Sequence, residues 1–148
     1  MKNVVKEYSM KYKPTNREAK QIKDSRQAYE ELQRIFDKDT LPLFESFYVV
    51  YLNSNQKEKG FLKIGEGGLT HVVADPKKIV MGAIGCLATN IIISHNHPSG
   101  NPRPSEEDRR LTRRVREACK LLDINLNDHI IIGDGQYYSF RDNGELFD

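Results

Sequence analysis

The sequence has little that would place the protein in a membrane or in an oxidising compartment. No apolar run approaches the roughly 18–20 residues that a membrane span needs, and the basic start, MKNVVKEYSMKYK, contains no apolar signal core. Only 2 cysteines occur, Cys86 and Cys119, and neither has a Cys or His neighbour at metal-ligand spacing. We therefore expect two reduced core thiols in a cytoplasmic protein without a membrane anchor.

An excess of charge of one sign is also missing. Lys and Arg number 23 against 21 Asp and Glu, and the net charge of +2 does not by itself argue for nucleic acid. Internal repeats and low-complexity segments are absent as well. The 148 residues, 38% hydrophobic and 30% charged, fit one soluble domain with a single core. Residues 1–24 are polar and lysine-rich, so an arm or edge strand is expected before a domain over 25–148.

The helical spacing of apolar residues predicts three helices. The first begins with Ser25 as its cap and ends near residues 37–39, before Pro42. In the second, Asp75 is the cap and Pro76 takes the first helical position, where its missing N–H costs nothing. The third runs over 105–122, and apolar residues alone are expected to form its inner stripe: Leu111, Val115, Ala118, Leu121 and Leu122.

Short runs of β-branched and aromatic residues predict the strands. Continuous apolar runs over 47–52 and 91–94 are typical of strands buried on both faces. Further strands are predicted at 61–65 and 71–73, after a turn at NSNQKEKG, and the chain closes with two strands joined at Asp134-Gly135. Helices that alternate with buried strands predict an α/β fold with a mixed central sheet flanked by helices.

Two histidines follow the second buried strand, in the stretch ISHNHPSGNPRPSEED. Since strand side chains alternate between faces, His95 and His97 project the same way and Asn96 the opposite way. Strand ends next to loops are also where α/β folds place their sites. The two imidazoles can therefore converge on one metal ion. A buried histidine is more often a hydrogen-bonded core residue, so the pair alone does not establish a site.

The next helix offers the third ligand that such a metal would need. Asp108, in the first turn, is the best candidate, with Glu106 and Glu107 as competitors. Two histidines, a carboxylate and a water form the open pattern of catalytic zinc, whereas non-haem iron sites use a different order along the chain. The alternative is a plain capping box in which Ser105 and Asp108 satisfy the helix N-terminus and nothing more. With a metal bound, both would serve the helix end only in part.

A hydrolytic zinc site needs a general base and a partner for the oxyanion. Zinc lowers the pKa of its water toward about 7, and a carboxylate can then take the proton. Ser105 is placed to donate a hydrogen bond to a developing oxyanion. Two carboxylates are candidates for the base: Glu45, which opens a buried strand, and Glu66, which lies beside a Gly-Gly bend. Spacing alone does not choose between them.

The gaps between these residues resemble a known signature. His95-x-His97, seven residues, Ser105, two residues and Asp108 looks like the JAMM metalloprotease motif. The wider stretch SHNHPSGNPRPSEEDRRLTRRVREACKLLDINLNDHIIIGDG resembles the RadC family, a bacterial branch of the JAB/MPN domain proteins. Earlier blocks, FESFYVVYLNSNQ and GEGGLTHVVADPKKI, fit as well, so the likeness covers about residues 25–140.

This resemblance implies a JAB/MPN fold, similar to cytidine deaminase, with one zinc ion per chain. His95, His97 and Asp108 would be the zinc ligands, and Ser105 would stabilise the oxyanion. The resemblance also favours Glu45 as the base, because the catalytic Glu of JAMM proteins opens the first long strand. The activity implied is that of a zinc metallopeptidase or isopeptidase, in which a zinc-activated water attacks an amide carbonyl of a peptide or protein.

The chain departs from the family pattern in two ways, and two other functions compete. Asn96 stands where JAMM proteins usually have Ser or Thr, and the helix-hairpin-helix region that precedes the domain in full-length RadC proteins is missing, so a short form is expected. One alternative is a metal-bound scaffold without turnover. The other is nucleic-acid binding, in line with the family's DNA-repair label, although a solvated outer face also explains the cations of the third helix. Those cations include Arg109, Arg113, Arg116 and Lys120.

Overall fold

The computed structural model describes residues 2–67 and 74–146. A predicted strand at 71–73 lies outside the described residues. The second strand begins inside the predicted turn NSNQKEKG, and the other predicted helices and strands are present. In chain order they are α1 (Ser25–Ile35), β1 (Ser46–Leu52), β2 (Glu58–Glu66), α2 (Pro76–Gly85), β3 (Asn90–Asn96), α3 (Glu106–Leu121), β4 (Asn125–Ile132) and β5 (Tyr137–Ser139).

The five strands form one mixed sheet in the order β2-β1-β3-β4-β5. β3 and β4 are parallel and are connected through α3, while the other neighbouring pairs are antiparallel. This arrangement confirms the predicted α/β class with a mixed sheet. Within the described ranges, no helix is long and apolar enough to span a membrane.

The sheet is covered on both faces, which explains why its central strands are apolar throughout. One face packs against α2 and α3, and its buried side chains include Phe47, Val49, Ile91, Ile93 and Val115. The other face packs against α1, with Ala28, Leu32, Val50, Ile92 and Ile130 among its buried side chains. Because side chains alternate along β3, His95 lies on the α2/α3 side and Asn96 on the α1 side.

The start of α1 differs from its prediction. Asp24, and not Ser25, caps the helix, because its carboxylate accepts a hydrogen bond from the Gln27 N–H at 2.8 Å. The Ser25 hydroxyl instead donates to Asp142 near the end of the chain. The predicted cap of α2 by Asp75, with Pro76 in the first turn, is confirmed.

The buried face of α3 also differs from its prediction, because it is not formed by apolar residues alone. Leu121 and Leu122 are exposed, whereas Thr112 and Cys119 are buried beside Val115. A stripe chosen by hydrophobicity alone misses Thr112, whose hydroxyl lies 2.6 Å from the Nδ1 of His129 on β4 and donates to the Asp108 carbonyl of its own helix. Cys119 is a free thiol, and burial raises its pKa to about 11.

The second half of the expected N-terminal arm packs against the domain. Ile22 belongs to the core on the α1 side. Arg17 binds the carboxylates of Glu31 at 2.6 Å and Glu58 at 3.1 Å. Both glutamates are buried, so Arg17 balances two charges that would otherwise be costly to bury. Residues 17–22 are thus held to α1 and to the start of β2.

Candidate metal centre

The two histidines lie where β3 ends beside β4. His95 is the penultimate residue of β3, and His97 extends the pairing because its N–H donates to the Ile132 carbonyl at 2.9 Å. As expected from the alternation of strand side chains, both rings are on one face, with their Nε2 atoms 3.1 Å apart. His95 is fully buried and His97 is partly buried.

Asp108, in the first turn of α3, faces both rings. Its Oδ1 lies 3.2 Å from the Nε2 of His95, and its Oδ2 lies 3.2 Å from the Nε2 of His97. The ligand atoms of the three residues all fall within 4.8 Å of one another, and no other such group of His, Cys, Asp or Glu occurs in residues 2–67 and 74–146. The competing Glu106 pairs with Arg109, and Glu107 is exposed.

The spacing of these atoms suits a tetrahedral zinc ion. Bonds of about 2.0–2.1 Å at tetrahedral angles place neighbouring ligand atoms roughly 3.3 Å apart. The two Nε2 atoms are 3.1 Å apart, and each lies 3.2 Å from a different oxygen of the Asp108 carboxylate. The Nδ1 of His97 lies 2.9 Å from the carbonyl oxygen of Asn101 and must donate its proton there. Neutral His97 therefore has its lone pair on Nε2, the atom that faces Asp108.

The electrostatics of the cluster favour a cation at its centre. Burial would raise the pKa of Asp108, but its contacts with the two histidines hold it well below its usual range. Burial would lower the pKa of His97, yet Asp108 raises it above the ordinary value, with a smaller contribution from Glu45. The pKa of His95 is lowered by burial, against the opposing effect of Asp108. Asp108 is thus an anion that faces two imidazoles.

Of the two candidate bases, Glu45 shares this environment. It is buried directly before β1, and its charge contributes to the raised pKa of His97. Glu66 is opposite Ser46 in the pairing of β1 with β2, but its side chain is exposed and forms an ion pair with Lys63. The location of Glu45 agrees with the choice that the family resemblance favours.

Ser105 and Asp108 form a complete capping box at the start of α3. The Ser105 hydroxyl oxygen accepts from the Asp108 N–H at 3.1 Å, and the Ser105 N–H donates to Asp108 Oδ2 at 2.9 Å. One carboxylate thus caps the helix and faces the histidines at the same time, and the expectation of a partial cap with a metal bound stays a prediction. The hydroxyl proton of Ser105 takes no part in the box and remains available for donation.

Asn96 has a role that was not predicted. Its amide donates to the carbonyls of Leu41 at 2.8 Å and Phe44 at 3.0 Å, and its Oδ1 accepts from the Ser46 N–H at 2.8 Å. These three bonds bracket Glu45 along the chain. A polar residue that points away from the two histidines therefore ties the segment carrying Glu45 to β3.

Replacing Asn96 with Ala is expected to lower the free energy of unfolding by about 1–3 kcal/mol, because it leaves buried backbone groups without partners. Urea unfolding followed by circular dichroism measures the loss. Asn53→Ala is the control, since the Asn53 side chain accepts its bonds within an exposed turn. Equal losses in the two variants would contradict the structural role assigned to Asn96.

Two further buried side chains also escaped prediction. His129, in β4, places Nε2 2.9 Å from the Nδ1 of His95. Its Nδ1 lies 2.6 Å from the Thr112 hydroxyl on α3. The signal in the sequence was weak: a histidine that opens the run HIII and a threonine among arginines. The pairing of β3 with β4 and the packing of α3 against β4 bring them together.

A cleft beside the candidate centre has a volume of about 440 Å³. His97 lines it together with apolar side chains such as Phe36, Leu41 and Ile132. Two segments that line the cleft are joined by a hydrogen bond, in which the Gly100 carbonyl accepts from the Asp134 N–H at 2.8 Å. A Cβ on Gly133 would lie 2.4 Å from that carbonyl oxygen, so only glycine fits the contact.

The cations predicted for nucleic acid do not share one environment. Arg109 is bound to Glu145 at 2.9 Å and to Glu106 at 3.3 Å. Arg113 is exposed, while Arg116 and Lys120 line a larger cavity of about 580 Å³. That cavity lies at the starts of β3 and β4, the opposite end from the histidines. Nucleic-acid binding stays a prediction from the sequence.

Comparisons with known proteins are consistent with this picture. The profile of the family described as RadC-like JAB domain matches residues 22–145. A UPF0758 protein of Porphyromonas gingivalis is 44% identical over 126 residues, which cover 84% of this chain and 54% of that protein. A UPF0758 protein of Aquifex aeolicus is 38% identical over 125 residues, covering 84% and 52%. The chain thus spans about half the length of the curated relatives it matches, and their names state no activity.

Proposed function

The chain belongs to the RadC-like JAB domain family, and from this premise we propose that it is a zinc-dependent hydrolase of amide bonds, a metallopeptidase or isopeptidase. One observation carries the proposal: the Nε2 atoms of His95 and His97 and the Asp108 carboxylate converge at 3.1–3.2 Å. Ring nitrogens and a carboxylate that converge at this separation can coordinate one cation. One zinc ion per chain supplies it, with these residues as ligands.

Zinc held in this way acts as a Lewis acid and brings the pKa of water toward about 7. Glu45 is the proposed general base: its carboxylate takes a proton from the water that adds to the amide carbonyl carbon, and it passes that proton to the nitrogen as the C–N bond breaks. Ser105 donates its hydroxyl proton in a hydrogen bond to the carbonyl oxygen as negative charge develops there. The water molecule thereby supplies the oxygen of the new carboxylate and a proton of the new amine.

The cleft beside His97 supports a peptide or protein as substrate. Its volume of about 440 Å³ is within the range of roughly 300–1,000 Å³ typical of ligand pockets. Its apolar lining, which includes Phe36, Leu41 and Ile132, suits the side chains of an extended chain, and His97 is among the lining residues. An isopeptide bond between two proteins presents the same amide to the centre. The two free cysteines suit a cytoplasmic location.

Mass spectrometry of peptide pools and isopeptide-linked conjugates incubated with the zinc-loaded protein tests the proposal. New termini should appear, a chelator should stop their formation, and added zinc should restore it. Cleavage that persists in a chelator would contradict the proposal. Zinc binding without cleavage of any conjugate would instead favour a metal-bound scaffold.

A further inference from the structure

A buried chain of hydrogen bonds connects the candidate metal centre to the backbone of α3. It runs from the Nδ1 of His95 to the Nε2 of His129 at 2.9 Å, and from the Nδ1 of His129 to the Thr112 hydroxyl at 2.6 Å. The hydroxyl lies 2.6 Å from the carbonyl oxygen of Asp108. All three side chains are buried, so solvent does not compete for these bonds.

The direction of every hydrogen bond in this chain follows from the bond between the Thr112 hydroxyl and the Asp108 carbonyl. Two oxygens at 2.6 Å need a proton between them, and the Asp108 carbonyl has none, so Thr112 donates to it. Thr112 has no second proton and must accept one from the Nδ1 of His129. His129 is fully buried and carries a single ring proton, so its Nε2 accepts from the Nδ1 of His95.

The packing around His129 keeps the chain in place. Its ring stacks on Phe140 with the centroids 4.7 Å apart, and it is tilted against the ring of His95 at 4.9 Å. The His95 ring in turn stacks on Phe47 at 5.7 Å. These aromatic contacts leave the two imidazoles little freedom to rotate away from each other.

We infer that Thr112 and His129 are positioning residues that hold His95 in the tautomer with its proton on Nδ1. His95 then keeps its lone pair on Nε2, the atom that faces Asp108 and His97. His97 reaches the same tautomer directly through the Asn101 carbonyl, whereas His95 needs the two-residue relay because its Nδ1 points into the core. The role in metal binding rests on the proposed zinc centre, but the tautomer assignment does not.

Nitrogen-15 NMR of the histidine rings in the metal-free protein tests the tautomers directly. The Nδ1 atoms of His95 and His129 should both be protonated, and the Nε2 of His129 should not be. A spectrum in which either Nδ1 lacks its proton would overturn the inference, whatever the protein does with zinc. This measurement needs no variant, so a substitution that fails to fold does not leave the question open.

Thr112→Val and Thr112→Ser form a matched pair for the metal. Valine keeps the shape of the side chain but removes the acceptor for the Nδ1 proton of His129. His129 can then carry its proton on Nε2, which displaces the proton of His95 from Nδ1. Zinc affinity, measured by competition with a chromophoric chelator, should fall about 10-fold or more in Thr112→Val and stay near wild type in Thr112→Ser. Wild-type affinity and tautomers in Thr112→Val would overturn the inference. Failure of the wild type to bind zinc would count against the proposed function alone.

Discussion

Replacing Glu45 with Gln is expected to remove turnover while zinc stays bound. Glutamine keeps the size of the side chain and one accepting oxygen, but its amide cannot take a proton. General acid–base catalysis contributes about 10²–10⁴-fold to such reactions, so kcat should fall by that factor. Glu45 is not among the residues proposed to hold zinc, and the variant should therefore contain as much metal as the wild type.

Glu66→Gln provides the matched control for this prediction. Glu66 carries the same functional group at the other candidate position, but it is exposed and paired with Lys63. Its replacement should leave kcat close to the wild-type value. If Glu66→Gln were inactive and Glu45→Gln active, the assignment of the base would have to be reversed. Full activity in both variants would remove a glutamate base from the mechanism.

Asp108→Asn is expected to abolish zinc binding without removing the helix cap. The asparagine oxygen can still accept from the Ser105 N–H, which in the wild type donates to Asp108 Oδ2 at 2.9 Å. The negative charge between the two imidazoles is lost, however. Zinc affinity should fall by more than the roughly 10–100-fold typical of losing an outer-shell partner, and hydrolysis should disappear with it. Titration with zinc against a competing chelator measures the affinity, and circular dichroism checks the helix content.

Ser105→Ala is the complementary variant, because it weakens the cap and leaves the ligands intact. The loss of an N-cap hydroxyl costs about 0.5–2 kcal/mol of stability. Without a donor to the developing oxyanion, kcat should fall about 10²–10³-fold while zinc remains bound. If Ser105→Ala lost zinc as completely as Asp108→Asn, a weakened helix N-terminus, and not a missing ligand, would explain the loss of zinc in both variants.

The fold was predictable from the sequence in strands whose side chains are buried on both faces. It was less predictable in a helix that is buried on one side only. The continuous apolar runs of β1 and β3 and the Asp75–Pro76 start of α2 agree with the structure. On α3, counting apolar residues placed Leu121 and Leu122 inside, but both are exposed at the end of the helix. Periodicity describes one helix, and it does not specify which of its turns the rest of the fold covers.

The candidate site was predictable through His95, His97 and Asp108, because short segments with fixed spacing carry them. His129 and Thr112 were not found, since each contacts the site only through the register of β4 against β3 and the packing of α3. The register between two strands cannot be read from the pattern of either strand alone. Buried polar side chains are also discounted by hydrophobic patterning, although the large majority of them have hydrogen-bond partners.

Metal content is the most direct test of the zinc centre. Elemental analysis of the purified, folded wild type, after reconstitution with zinc and removal of excess metal, should give about one zinc ion per chain. His97→Ala, treated in the same way, should retain far less, because one of three ligands is gone. A folded wild type without stoichiometric zinc, or a His97→Ala variant that keeps as much zinc as the wild type, would contradict the assignment of His95, His97 and Asp108 as a zinc site.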